Sequence, residues 1–378
     1  SLLLQGAAVD FSGRAVLPSG NFAIHQTGDK NAPIAGDNIV IRNGSHIDVA
    51  GIAQQFGPET LITDGGRITL LADTGNIIIG DAAEFNTSAG AAISAAIDDA
   101  IGEAGSITFD AALGEVDIAS TTLFTSTGNG GDFVLDSSTL KVGVVNDALA
   151  YTELSELLSD SFTDKRHVHL RNQGIEHAQS LTVRAHDVRL VSDSDSVVVR
   201  GTIDASGHGM GSVRENGGNI LLAAADSVDV ESTAVLLARG SLDSDTAVPV
   251  IGSKGGKLEL IALDSDGDDA GGSADSVNLK TGAVIDVSGG DNRIYSADDR
   301  LITAGQTLGG EVLVHTRLTN AAAGTFVQGD LDATITGAAK TDLIVTNRVE
   351  ILDGEIDLAD ITAMYDETKL FMDNTQPS

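Results

Sequence analysis

GRITLLADTGNIIIGDAAEFNTSAG, residues 66–90, holds three short apolar runs separated by small and polar turn residues. In the first run Ile68 and Leu70 occupy alternate positions. Successive side chains on a strand point to opposite faces, so alternation of period two puts one face inward and one outward. Each run is bounded by Gly, Asp, Thr or Asn, the residues that end strands in turns. Three such strands in 25 residues make one coil of a parallel β-helix.

The same grammar recurs on both sides of this stretch. GSITFDAALGEVDIASTTLFTSTGNG spans 105–130 and GNILLAAADSVDVESTAVLLARG spans 218–240. Val116 and Ile118, and Val228 and Val230, repeat the alternation. A glycine-led phrase opens the first strand each time: GGRITLLA from Gly65, AGSITFDA from Ala104, GGDFVLDS from Gly130, GGNILLAA from Gly217, GGKLELIA from Gly255 and GGEVLVHT from Gly309. A second phrase closes the third strand: VDFSG from Val9, IDVAG from Ile47, FNTSAG from Phe85, IDASG from Ile203 and IDVSG from Ile285. Its polar residues Asp10, Asp48 and Asn86 are 38 residues apart in turn. A fixed internal period marks a stacked repeat, in which each unit packs only on its neighbours.

The predicted fold is therefore all-β, a parallel β-helix with about three short strands per coil and inserted surface segments. Strands of successive coils pair in parallel about 4.8 Å apart, so roughly a dozen coils would make a rod of about 50–60 Å. Glycine is expected at the corners, where positive φ or a tight bend disfavours a Cβ. The Asp of the IDVSG phrase lies between two inward residues and so points outward, as a solvated or turn-capping carboxylate. The β-helix is expected to run over 1–360, interrupted near 91–104, 147–166, 241–254 and 291–308. Residues 361–378 lose the pattern and are expected to cap the last coil or dock on a neighbour.

One interruption reads as helix. In DALAYTELSELLSD, residues 147–160, Leu149, Leu154, Leu157 and Leu158 fall on roughly one helical face, and Asp147 can cap its start. Strands are expected to resume at HVHLRNQG, from His167.

Composition narrows the function. The chain has 378 residues, of which 42% are hydrophobic but only 3% aromatic, with 44 glycines and 5 prolines. Aliphatic side chains of similar size suit many thin, equivalent layers. With 22 basic against 55 acidic residues and a net charge of −33, the chain lacks the clustered cations that nucleic acid and anionic membranes require. There is no cysteine, which removes disulfides, thiolate metal sites and cysteine nucleophiles. No stretch approaches the roughly 18 apolar residues of a membrane span. The opening SLLLQGAAVD has no basic n-region, and the chain reads as the inside of a longer or processed polypeptide.

Signs of chemistry are few. No P-loop, dinucleotide fingerprint or nucleophile elbow occurs. His167 and His169 in HVHL lie on one face of a strand, half of a two-histidine metal site, against which an exposed strand pair is the simpler reading. DSDGDD offers Asp264, Asp266, Asp268 and Asp269 as candidate calcium ligands, with Gly267 for the turn, and SDSDS offers Asp193 and Asp195. Hard oxygen donors at alternate positions suit Ca²⁺. Ser276 stands where a helix-flanked calcium loop has its twelfth-position Glu, so a plain hydrated loop is the alternative. An enzyme acting on acidic polysaccharides would need a cationic base beside carboxylate-bound calcium, and the basic residues are too dispersed to assemble one.

GGNILLAAADSVDVESTAVLLARG, DSVNLKTGAVIDVSGG and TIDASGHG resemble the repeat phrases of filamentous-haemagglutinin-like exoproteins, the secreted partners of two-partner secretion. LSELLSDSFTDKRHVHL is similar to a helical insert that recurs between their coils. The resemblance spans roughly residues 6–360 and implies a right-handed β-helix, export to the bacterial cell surface or medium, and non-enzymatic roles in adhesion, aggregation or biofilm. The family's secretion module, with its Asn-Pro-Asn-Gly signatures, does not occur in these residues. The partners expected are other protein chains, either copies of itself or cell-surface proteins, with glycans as a further ligand class. The alternatives are a subunit of an extracellular fibre assembled end to end and, third, a polysaccharide-active β-helix enzyme.

The calcium reading predicts that calcium raises the melting temperature and that Asp266→Asn with Asp268→Asn abolishes the rise. An unchanged calcium response in the double variant would exclude these ligands.

Overall fold

The computed structural model describes residues 1–29, 36–57, 59–91, 102–207, 216–241, 253–262, 276–290, 292–295, 301–305, 308–322, 325–327 and 331–347. These residues are mostly β-strand, paired predominantly in parallel, with a single α-helix among them, an all-β architecture. The chain divides into two compact units, residues 1–191 and 192–378.

In the first unit the strands fall into three sets. One carries Leu2–Gly6, Asn21–Gln26, Arg67–Ala72, Ser106–Ile118, Asp132–Val142 and Lys165–Leu170, side by side and parallel. A second joins Val9–Phe11, Ile39–Ile41 and Ile77–Ile79 to the far ends of Ser106–Ile118 and Asp132–Val142. A third stacks Arg14–Val16, His46–Asp48, Glu84–Asn86 and Leu123–Thr125. The three runs of residues 66–90 are three of these strands, one in each set. The second unit repeats the arrangement. There Asn219–Ala224, Lys257–Ala262, Gly310–Ala322 and Ala338–Asn347 form one set. Val197–Val199, Val228–Val230 and Val277–Leu279 form another. Thr202–Asp204, Val235–Leu237, Val284–Asp286 and Thr334–Thr336 form the third.

Register follows the phrases, so equivalent residues stack. Phe22, Ile68, Ile107 and Phe133 form one inward column, and Ile24, Leu70, Phe109 and Leu135 the next, all buried. Phe11 is partly covered, whereas Ile41, Ile79, Ile118 and Val142 behind it in the second set are buried. Burying each such side chain stabilises the fold by about 1.5–3 kcal/mol. Rings from two sets meet across the interior: Phe85 stacks on Phe124 at 5.4 Å, and Phe109 meets Phe133 edge to face at 5.8 Å. The sets therefore wall a shared core.

The corners are held by like-on-like contacts. Asn38 Oδ1 accepts the Asn76 N–H at 2.9 Å, and Asn76 Oδ1 accepts the Glu115 N–H at 2.8 Å. Positive φ, one expected reason for corner glycine, holds at Gly13 (φ +113°). It does not hold at Gly66 and Gly105, where close approach decides instead. A Cβ on Gly66 would lie 1.9 Å from the Gly20 carbonyl oxygen, and one on Gly105 1.9 Å from that of Gly66. Those same carbonyls accept the N–H groups of Arg67 at 2.9 Å and Ser106 at 3.1 Å.

The insertions differ in kind. Ala53–Phe56 and Glu59–Ile62 pair as an antiparallel hairpin after the IDVAG phrase, one that sequence periodicity alone did not mark. Within 291–308, expected as a loop, Asn292–Tyr295 pairs antiparallel with Leu301–Gly305. Most of 91–104 and 241–254, and all of 361–378, lie outside the described residues.

The helix spans Ala150–Leu158, and Asp147 Oδ1 accepts the Leu149 N–H at 2.9 Å. Its buried face is Ala150, Tyr151, Leu154, Ser155 and Leu158 rather than the expected leucine stripe. Leu149 is 40% exposed and Leu157 only partly covered. Thr152 fixes the rotation: its hydroxyl donates to the Glu176 carbonyl at 2.6 Å and accepts the Ala178 N–H at 3.2 Å.

Strands resume at Lys165, and the next residue breaks the apolar rule. Arg166 continues the column of Phe133 and is buried. Its guanidinium donates to the carbonyls of Ser159, Ser161 and Phe162, just past the helix C-terminus. Carbonyls left over at a helix end carry partial negative charge and suit a cation. Burial pulls the guanidinium below its ordinary pKa.

Gly105→Ala is expected to destabilise the protein by about 1–3 kcal/mol, because the added methyl overpacks a backbone contact. Urea unfolding should show a lower midpoint with an unchanged slope. An unchanged midpoint would refute the close-approach explanation.

Candidate functional site

The densest group of titratable side chains among the described residues lies on the outward face of Asp132–Val142, Lys165–Leu170 and Asp187–Ser192. Alternation turns Arg166, Val168 and Leu170 inward and leaves Lys165, His167 and His169 outward. Parallel register then sets Lys165 beside Asp132 and His169 beside Asp136.

HVHL does present both imidazoles on one face, but each meets a different carboxylate. His167 Nε2 lies 3.3 Å from Asp187 Oδ2, and His169 Nδ1 lies 3.6 Å from Asp136 Oδ2. Guanidinium groups grip the same carboxylates. Arg171 donates to both oxygens of Asp136 at 2.9 and 2.8 Å, and Arg189 to both of Asp187 at 3.2 and 3.1 Å. Lys165 Nζ donates to Asp132 at 3.1 Å. Partial burial of Asp187 would raise its pKa, but hydrogen bonds from His167 and Arg189 outweigh it and hold the carboxyl below 3.8. The bond to Asp132 holds the Lys165 ammonium above its ordinary value. These carboxylate lone pairs are already engaged by fixed cations. Among the described residues no three His, Asp or Glu side chains converge as a metal site.

The acidic segments divide. Asp195 Oδ1 accepts the Ser196 N–H at 2.7 Å, and the Asp195 N–H reaches Ser192 Oγ at 3.1 Å, so this carboxylate shapes its own turn. Asp193 sits in the same bend. Asp264, Asp266, Asp268 and Asp269 lie outside the described residues. The aspartates of the IDVSG phrases cap turns, as expected. Asp48, Asp204 and Asp286 each accept the N–H two residues on, at 3.1, 3.0 and 3.0 Å, and Asn86 does the same at 3.1 Å. This is the local bond by which Asx residues stabilise a turn.

A second feature was not read from the sequence. Beside the second strand set of the first unit lies a cleft of about 280 Å³. Ile78 and Ala119, with the backbone of Gly80 and Gly143, form its floor, and Asn43, Asp81, Asp117 and Ser120 its rim. Asn43 Oδ1 accepts the Asp81 N–H at 3.2 Å, Thr121 donates to Asp81 Oδ1 at 3.1 Å, and Lys141 donates to Asp117 Oδ2 at 2.6 Å. The signal that could have found it is the repeat interval. Asn43 and Asp81 are 38 residues apart, and Asp81 and Ser120 are 39 apart, so stacking gathers residues scattered along the chain.

Among the described residues no helix is long and apolar enough to cross a membrane. Comparison of the chain with protein-family models, with curated proteins and with solved structures finds no match to any of them.

Because Asp187 is depressed, its ionised form stabilises the fold above the ordinary carboxylate range, and that contribution is lost as pH falls through the lower folded value. Asp187→Asn is expected to cost about 1–3 kcal/mol at neutral pH. The gap to the parent should shrink below about pH 4. Melting curves across pH test this, and a gap that persists in acid would remove Asp187 as its source.

Proposed function

We propose that the chain is a right-handed parallel β-helix and a non-enzymatic structural and adhesive segment of a large bacterial surface or secreted protein, similar to the filamentous-haemagglutinin-like exoproteins. The observation that carries this reading is the in-register parallel pairing within each unit, at the interval of the sequence phrases. A crossover between parallel neighbours is right-handed in nearly all sheets. A stack in which each layer contacts only its neighbours can be lengthened without enlarging its core. That property suits a spacer that carries loops away from a cell. The outer ion-pair ladder supports the non-enzymatic reading, because its imidazoles and carboxylates are committed to one another rather than left for proton transfer. A net charge of −33 favours solubility outside the cell and disfavours nucleic acid.

Electron microscopy of the purified chain should show separate rods, and compact particles would overturn the β-helix. Displayed on a non-adherent bacterium, the chain should increase cell aggregation or attachment. Release of new chain ends from acidic polysaccharides by the purified protein would overturn the non-enzymatic assignment.

A further inference from the structure

We propose that the cleft over Ile78 and Ala119 binds one ring of a neutral saccharide. The inference deepens the adhesive reading and rests on it in taking the cleft to face a cell-surface or matrix glycan.

Three features point to this ligand class. The first is the floor. The half-buried Ile78, Ala119 and the bare backbone of Gly80 and Gly143 make a low apolar platform, suited to the C–H face of a pyranose. The second is the set of unspent polar atoms at the rim. Thr121 occupies one oxygen of Asp81 and Lys141 one oxygen of Asp117, leaving Asp81 Oδ2 and Asp117 Oδ1 to accept sugar hydroxyls. Asn43 uses its carbonyl on the Asp81 N–H, so its amide remains a donor, and the exposed Ser120 hydroxyl can donate or accept. Hydroxyl-to-carboxylate bonds are charge-assisted and about twice as strong as neutral ones. An apolar surface with a few convergent polar groups is the usual make-up of a small-molecule site. The third is size and charge. At about 280 Å³ the cleft stands near the lower end of such sites, roughly 300 Å³, which suits one ring. Two rim carboxylates on a chain of net charge −33 repel uronate and sulfated sugars. A free metal ion is a poor alternative, because Asp117 already holds the Lys141 ammonium.

Saturation-transfer NMR and calorimetry would be run on the whole chain with glucose-, galactose- and mannose-based neutral oligosaccharides. Oligogalacturonate and a glucosamine oligomer serve as charged controls. At least one neutral oligosaccharide should bind, with affinity at least tenfold weaker in Asp81→Ala and in Asp117→Asn, and lost in Ser120→Tyr, which fills the cleft from an exposed position. Melting temperatures identify any variant that fails to fold. No binding of any neutral sugar at millimolar concentration, unchanged affinity in a folded Ser120→Tyr variant, or preference for either charged control would overturn the assignment. Rods without sugar binding would sink the cleft inference alone, whereas sugar binding by a compact particle would sink the β-helix and leave the cleft standing.

Discussion

Parallel in-register stacking requires that each layer place the same kind of side chain over the same kind below it. Strands in a sheet sit about 4.8 Å apart, so a residue and its equivalent in the next layer are in contact. Inward positions satisfy this with aliphatic or aromatic columns such as Ile24, Leu70, Phe109 and Leu135. Corners satisfy it with backbone on backbone, and Gly20, Gly66 and Gly105 leave no room for a Cβ. Turns satisfy it with one amide capping the next, as Asn38 does for Asn76. The near-constant interval in the chain is the consequence, since a layer of different length would shift every column. Excess length is tolerated only outside the stack, as in the hairpin of Ala53–Phe56 and Glu59–Ile62.

Where the column rule is broken, something specific compensates. Arg166 enters an apolar column because the helix that precedes it ends in carbonyls without partners, and the guanidinium satisfies three of them. A buried cation without such acceptors would be costly. The insert is thereby tied into the core at one end by Arg166 and along its length by Thr152. The interior beneath the helix is accordingly more polar than elsewhere, with Tyr151, His177 and Gln173 all buried there.

The outer face obeys a looser rule, because water solvates whatever is placed on it. Its ion pairs run between neighbouring strands, from Asp132 to Lys165 and from His167 to Asp187. These bonds add modest stability and fix surface shape. Function on such a frame belongs to local departures: an inserted hairpin, a helix, or a corner where small residues open a cleft. The proposed sugar site is of that kind, its floor small because Gly80 and Gly143 lack side chains and its rim polar because turns are.

Much of the fold was legible in the sequence because strand periodicity and the glycine-led phrases are local signals that recur. The three runs in residues 66–90 are strands as read, and the aspartates of the IDVSG phrases cap turns because that bond reaches only two residues. The helix was located, but its buried face was misjudged, since Thr152 and Arg166 set its rotation through partners that sequence spacing does not reveal. HVHL was seen to share a face, while its carboxylate partners, 31 residues before His167's neighbour Val168 or 20 after His167, were not. The sequence by itself determined which residues alternate, where strands turn, and that no cysteine chemistry is available. Only the tertiary structure decided which layers touch, which glycines are needed for close approach rather than positive φ, and which side chains from different layers converge on one cleft. The physical reason is that register is a property of neighbouring layers: a short run carries its own periodicity, but its neighbours are chosen by packing.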